Sequence, residues 1–100
     1  LEATCSAMFV YAMLKGIRLG YLDKSMYKDA RKAYSSLLDT FVTIGRDGLE
    51  NLNSCCAVAG LGGKENRSGD YDYYINERTC SNDPKGIGPL VMASLEIERK

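Results

Sequence analysis

The chain has no histidine and no surplus of charge of either sign, with thirteen basic residues matched by thirteen acidic ones. Without histidine the usual zinc sites and the Cys–His nucleophile pair cannot be assembled from these residues. Its four cysteines, Cys5, Cys55, Cys56 and Cys80, show no C-x-x-C spacing, so metal binding is not expected, and no motif calls for a cofactor. A secreted disulfide framework would carry more cysteine in a shorter, loop-rich chain, so free, buried thiols are the expectation here. Balanced charge removes the electrostatic footprint of a nucleic-acid binder and leaves no polybasic patch for a membrane. The unbroken apolar run Ala7 to Leu14 falls far short of the roughly 20 residues that cross a bilayer, and Lys15 and Arg18 follow it. With no basic leader and no A-x-A-like site, it does not read as a signal peptide either.

What is present suits a soluble domain or part of one: 100 residues, 45% hydrophobic and 26% charged. A chain of this length buries only about 60–65% of its unfolded surface, so a missing neighbour would be felt. Glu2 to Leu19 reads as a helix whose segment AMFVYAML is apolar around its whole circumference, the mark of a helix enclosed by others. Gly20 suits the position just past its end. A second helix is expected from about Lys24 to Ile44, capped by Asp23, with Tyr27, Ala30, Tyr34, Leu37, Leu38 and Phe41 at three- and four-residue steps. An all-round apolar helix turning into a one-faced helix is the inner-then-outer pattern of an α/α hairpin in a barrel.

From Leu49 to Ala59 short strands or irregular loop are expected. Gly60, Gly62 and Gly63 then make a tight turn without a dinucleotide or Walker pattern around it. GDYDYYINE, Gly69 to Glu77, reads as a strand with Tyr71, Tyr73 and Ile75 on one face and Asp72, Tyr74 and Asn76 on the other. After Asn82-Asp83-Pro84 a last helix carries Ile87, Leu90, Val91 and Leu95, with Pro89 expected near its first turn and Glu96 to Lys100 frayed. No repeat or linker divides the chain, which reads as one compact unit.

LEATCSAMFVYAMLKGIRLGYLD, AVAGLGG, GDYDYYINE and NDPKGIGPLVMASLE, in that order, resemble the C-terminal motifs of glycoside hydrolase family 105, the unsaturated rhamnogalacturonyl hydrolases. The resemblance covers nearly the whole chain. It implies a mainly α fold: helical hairpins forming the C-terminal part of a six-hairpin α/α barrel (toroid), with a short β/loop segment in the middle. Residues 1–100 are then a single partial domain. A missing initiator methionine and an apolar helix at the very start agree with that expectation. The resemblance also implies a bacterial enzyme, cytoplasmic or periplasmic, that needs no metal. In the family an Asp acts as general acid and base to hydrate the C4–C5 double bond of an unsaturated galacturonyl residue, and the hemiketal collapses to release the saccharide. This departs from the usual two-carboxylate displacement.

The motif holding that Asp has no counterpart here. Asp23, Asp29, Asp39, Asp47, Asp70, Asp72 and Asp83 all stand in other contexts, mostly as caps, turn residues or solvated charge. No catalytic residue is therefore assigned, and the isolated chain is expected to be inactive. Three places suit a wall of the saccharide cleft. Glu2, Thr4 and Ser6 match the family's polar motif at the start of the first helix, where an anionic uronate would be favoured; capping and support of the helix is the alternative. Cys5 stands there in place of a small residue such as Gly or Ala. Tyr73, Tyr74 and Glu77 can stack on a sugar and orient a neighbour, or pack in the core. Asp83 and Lys85 lie in the loop leading into the last helix, where Lys85 meets a carboxylate or hydroxyl of the leaving saccharide or merely adds charge. The expected partner is an unsaturated uronyl oligosaccharide, with no nucleic acid and no membrane. A helical carbohydrate-binding or self-associating module, covering its first helix with a second copy, is the competing class.

Overall fold

The computed structural model describes residues 1–99. Helix α1 (Ala3–Arg18) opens the chain and ends in a Schellman turn. Gly20 sits at φ +82°, its N–H donates to the Ile17 carbonyl at 3.2 Å, and that of Tyr21 donates to Gly16 at 2.8 Å. A 3-10 turn over Lys24–Met26, capped by Asp23 through the Ser25 N–H at 2.8 Å, leads into helix α2 (Tyr27–Phe41).

That helix stops before the expected Ile44. Val42–Ile44 forms strand β1 instead, paired antiparallel with β2 (Glu50–Leu52) in the register Val42↔Leu52, Thr43↔Asn51 and Ile44↔Glu50. Val42, Thr43 and Ile44 are all β-branched and favour the pleated conformation. The Phe41 carbonyl left at the helix end accepts from both the backbone N–H (2.8 Å) and the side-chain amide (3.2 Å) of Asn53. Beyond β2, β3 (Cys55–Cys56) pairs antiparallel with β4 (Thr79–Cys80). Gly62 and Arg67 bridge a glycine loop between them.

The tyrosine segment is not a strand. Tyr71–Ile75 is a short helix, α3, because the Asp70 carboxylate accepts from the Tyr73 N–H at 2.8 Å and so caps the turn. Helix α4 (Pro84–Glu98) starts with Pro84 in its first turn and Asp83 as cap. Pro89 lies one turn further in than expected, buried within the helix. Glu96 to Glu98 are helical rather than frayed, since both Glu96 oxygens accept from Arg18, at 2.7 and 2.8 Å. Lys100, the last of the expected frayed residues, lies outside the described residues.

Two contacts fix how α1 and α4 run. A Cβ on Gly86 would lie 3.1 Å from Thr4 Oγ1, which joins the two starts, while Arg18 and Glu96 join the two ends. The helices are therefore parallel neighbours, and α2 returns antiparallel as the outer member of the hairpin. Their core is the α1 stripe Ala3, Ala7, Val10, Leu14 and Ile17 with Ala30, Leu37 and Phe41 of α2, Ala93 of α4, and Leu52 and Cys55. Steps of four and three put the α1 residues on one face. Only that face is covered: Phe9, on the opposite side, is 68% exposed.

Candidate functional site

Because α1 and α4 are parallel, both present their N-termini at one end of the molecule, and β3 runs across the two. Ala3 N–H donates to the Ser54 carbonyl at 2.9 Å. The Glu2 carboxylate accepts from the N–H groups of Thr4 (2.6 Å) and Cys5 (2.9 Å) in α1 and from Cys56 N–H (3.2 Å) in β3. One residue further along, the Ala57 carbonyl accepts from Lys85 Nζ at 3.3 Å. Lys85 in turn pairs with the Asp83 carboxylate at 2.7 Å. Both helix starts are thus capped by acidic side chains, one tied to β3 and the other to the residue that follows it.

Over this bar α3 closes a concavity of about 260 Å³, lined by Glu2, Cys56, Tyr74, Ile75, Glu77 and Thr79. Of the residues expected at the site, Glu2, Tyr74 and Glu77 come together here. Asp83 and Lys85 lie beside it as an ion pair. Tyr73 faces the other side of Glu77, its hydroxyl 3.4 Å from the Val58 carbonyl. Two expected residues point elsewhere. Thr4 is buried between α1 and α4, its Oγ1 without a hydrogen-bond partner. Ser6 donates to the Glu2 carbonyl at 2.7 Å and faces the groove between α1 and α2. Both serve the start of the helix rather than the concavity.

Electrostatics narrow what these groups do. The Glu77 carboxyl is held below its ordinary value, chiefly by the Tyr73 hydroxyl and then by the Arg78 N–H. Asp83 is lowered in the same sense by Lys85, whose own value rises beside Asp83. Neither carboxyl is poised as a proton donor near neutral pH. Burial, reinforced by Glu2, pushes the Cys56 thiol up, away from the thiolate a nucleophile needs. The Tyr74 hydroxyl is raised by the neighbouring Cys5, by burial, and by Cys56 and Glu2. The concavity offers hydrogen-bond partners and an aromatic ring, the equipment of a binding wall.

Cys56 and Thr79 were not picked out from the sequence. Their signal lay in the pleat: in the pair Cys55-Cys56 one side chain must face the core and the next must face out. Expectation also placed the thiols inside, whereas Cys5 is exposed and Cys56 and Cys80 are partly so; all four are free.

The sequence pattern of Glycosyl Hydrolase Family 88 matches residues 1–100. A solved Glycoside Hydrolase From Family 105 of C. acetobutylicum ATCC 824 superposes with a TM-score of 0.92 at 54% identity, covering 98% of this chain and 27% of that one. Protein Atu3128 of Agrobacterium fabrum (strain C58) and the 24.9 kDa protein in picA locus of Rhizobium radiobacter are each 42% identical over 101 aligned residues, 95% of this chain. The chain spans 43% of the length of those two relatives. Parallel inner helices, an antiparallel outer helix and short strands at the helix starts agree with that neighbour, and the chain belongs to the family 88/105 glycoside hydrolases, as part of their α/α barrel.

Proposed function

We propose that this chain is the C-terminal portion of a hydrolase that removes the unsaturated galacturonyl residue from rhamnogalacturonan oligosaccharides by hydrating its C4–C5 double bond. Its contribution is one wall of the saccharide cleft. The observation that supports this is the meeting of two helix starts under β3, with Glu2, Tyr74 and Glu77 lining one concavity and Lys85 beside it. Lys85 keeps donor capacity beyond its bonds to Asp83 and Ala57 and is the group for a hydroxyl or carboxylate of the leaving saccharide. The Glu77 and Asp83 carboxyls are both held below their ordinary values, and the family's catalytic Asp motif has no counterpart in this chain, so on this reading the proton-transferring Asp belongs to another part of the barrel and the chain alone is expected to be inactive.

The test is incubation of the complete parent protein with the unsaturated rhamnogalacturonan disaccharide while following the ultraviolet absorbance of the conjugated double bond. Decay of the absorbance is expected; a constant absorbance with intact, folded protein would sink the assignment. Lys85→Ala in that protein is expected to raise KM several-fold, in line with loss of a charged hydrogen bond. The competing reading, a self-associating module, draws on the uncovered face of α1, where Phe9 and Met13 line an apolar groove of about 350 Å³ with Leu37 and Phe41.

A further inference from the structure

The glycine loop after β3 holds a cation with no visible role in the fold. Arg67 exchanges two backbone hydrogen bonds with Gly62, at 2.6 and 3.0 Å, and Gly62 and Gly63 take left-handed φ values of +71° and +80°. The guanidinium lies against the bare backbone of Gly63, where a Cβ would stand 2.8 Å from Nη2 and 3.2 Å from Cζ. A Cβ on Gly60 would lie 3.8 Å from the same Nη2. The left-handed backbone at residue 63 is what calls for glycine there, and the absence of a β-carbon lets the guanidinium pack directly on the loop.

This seat does not satisfy the charge. Nε is buried without a hydrogen-bond partner, and among the described residues Arg67 forms no ion pair. Glu77, on whose carboxyl the Arg67 charge acts from a distance, accepts from the Arg78 N–H at 2.8 Å and forms no ion pair with Arg67. The buried Nε loses hydration that no hydrogen bond in the chain returns, while Nη1 and Nη2 are not among the buried unsatisfied atoms. Arg67 instead borders an open concavity of about 440 Å³, shared with Glu65, Ser68, Tyr73, Asn76 and Glu77. That is within the size range of small-ligand sites, roughly 300–1,000 Å³.

We propose that this concavity is a second saccharide subsite, in which Arg67 and Glu77 grip adjacent hydroxyls of a neutral pyranose unit. Two carboxylates and one guanidinium border it, so an anionic group would meet net repulsion. A neutral diol fits, because one hydroxyl accepts from the Arg67 fork and the next donates to the Glu77 carboxylate, giving a charge-assisted bond at each end. Tyr73 supplies a ring edge or face, and the Asn76 carbonyl oxygen a further acceptor. Glu77 borders this concavity and the one beside β3 alike, so an oligosaccharide crossing it occupies both.

The subsite rests on the rhamnogalacturonan reading for its ligand class, but binding is separable from hydrolysis. The complete parent protein would be titrated calorimetrically with the unsaturated rhamnogalacturonan tetrasaccharide, in wild-type, Arg67→Gln and Glu77→Gln forms, with thermal melts to confirm folding. Kd is expected to rise about tenfold in each variant, from the loss of a charged hydrogen bond. If Arg67→Gln does not fold, Arg67→Lys, which keeps the charge but loses the fork, carries the test. Wild-type Kd in every folded variant, or no binding by the wild type, overturns the subsite. Binding that depends on both residues while the double bond persists keeps the subsite and removes the hydrolase reading. Hydrolysis with undiminished affinity in the variants does the reverse.

Discussion

Glu2 shows how much one side chain can hold. Its two oxygens accept three backbone N–H groups, two in the first turn of α1 and one in β3, so it is cap and tether at once. Glu2→Ala leaves those donors to water and removes the side-chain tie between α1 and β3, leaving the Ala3–Ser54 backbone bond. Loss of a cap costs about 0.5–2 kcal/mol, and the upper half of that range is expected here, read as a lowered midpoint in urea with the slope unchanged. An unshifted midpoint would mean that solvent replaces the carboxylate without cost. Gly86 works by absence: a Cβ there would stand 2.9 Å from Cys55 Sγ and 3.0 Å from Leu52 Cδ2, both in buried residues. Gly86→Ala must push the start of α4 away from Leu52 of β2, Cys55 of β3 and Thr4 of α1, and overpacking of this kind destabilises by about 1–3 kcal/mol. A substitution that left the melting temperature unchanged would show that the helix pair has slack at its start.

Among elements, the pair α1 and α4 is locked at its far end by Arg18 and Glu96. The Glu96 carboxyl is held below its ordinary 4.5, first by the Arg18 side chain. A carboxyl depressed by folding stabilises above its unfolded pKa and loses that contribution as pH falls through the folded value. Wild type is therefore expected to melt above Glu96→Gln at neutral pH, with the gap closing as the pH drops below about 4.5. A gap independent of pH would assign the effect to packing. The ion pair was hidden in the sequence because seventy-eight positions separate its partners, whereas the helices that carry it were plain from their periodicity. Elements shorter than two turns were harder to read. DYDYYI alternates polar and aromatic residues as a strand would, and only the cap made by Asp70 decides for helix. The end of α2 was misplaced for a related reason: Phe41 continues the helical stripe, but the bonds from Asn53 that end the helix come from twelve residues away. Glu2 and Asp83, singled out at the candidate site by their place before a helix, are indeed at helix starts, and their caps use the same oxygens a saccharide would seek.

Taken whole, the chain is a slab, 46 × 37 × 17 Å, with a radius of gyration of 15.3 Å against about 13 Å for a compact domain of this length. A slab one or two helices thick covers only one side of its inner helix. Phe9 and Met8 are 68% and 47% exposed, and surface of this kind is normally covered in a native assembly. Taken alone, the chain is expected to sediment as a dimer or larger species, and Phe9→Ser to shift it toward monomer. A wild-type monomer with a sharp two-state melt would instead favour an autonomous module.

Cys5 stands in the first turn of α1 with its thiol in solvent, close enough to Tyr74 to shift its hydroxyl, while Cys55 is shielded and Cys56 and Cys80 are half so. A maleimide dye added in limiting amount is therefore expected to attach first at Cys5, near Tyr74 of the proposed saccharide wall. Cys5 is thus a natural attachment point for an optical sensor, in which quenching or brightening of the dye would test whether the proposed wall takes up a saccharide.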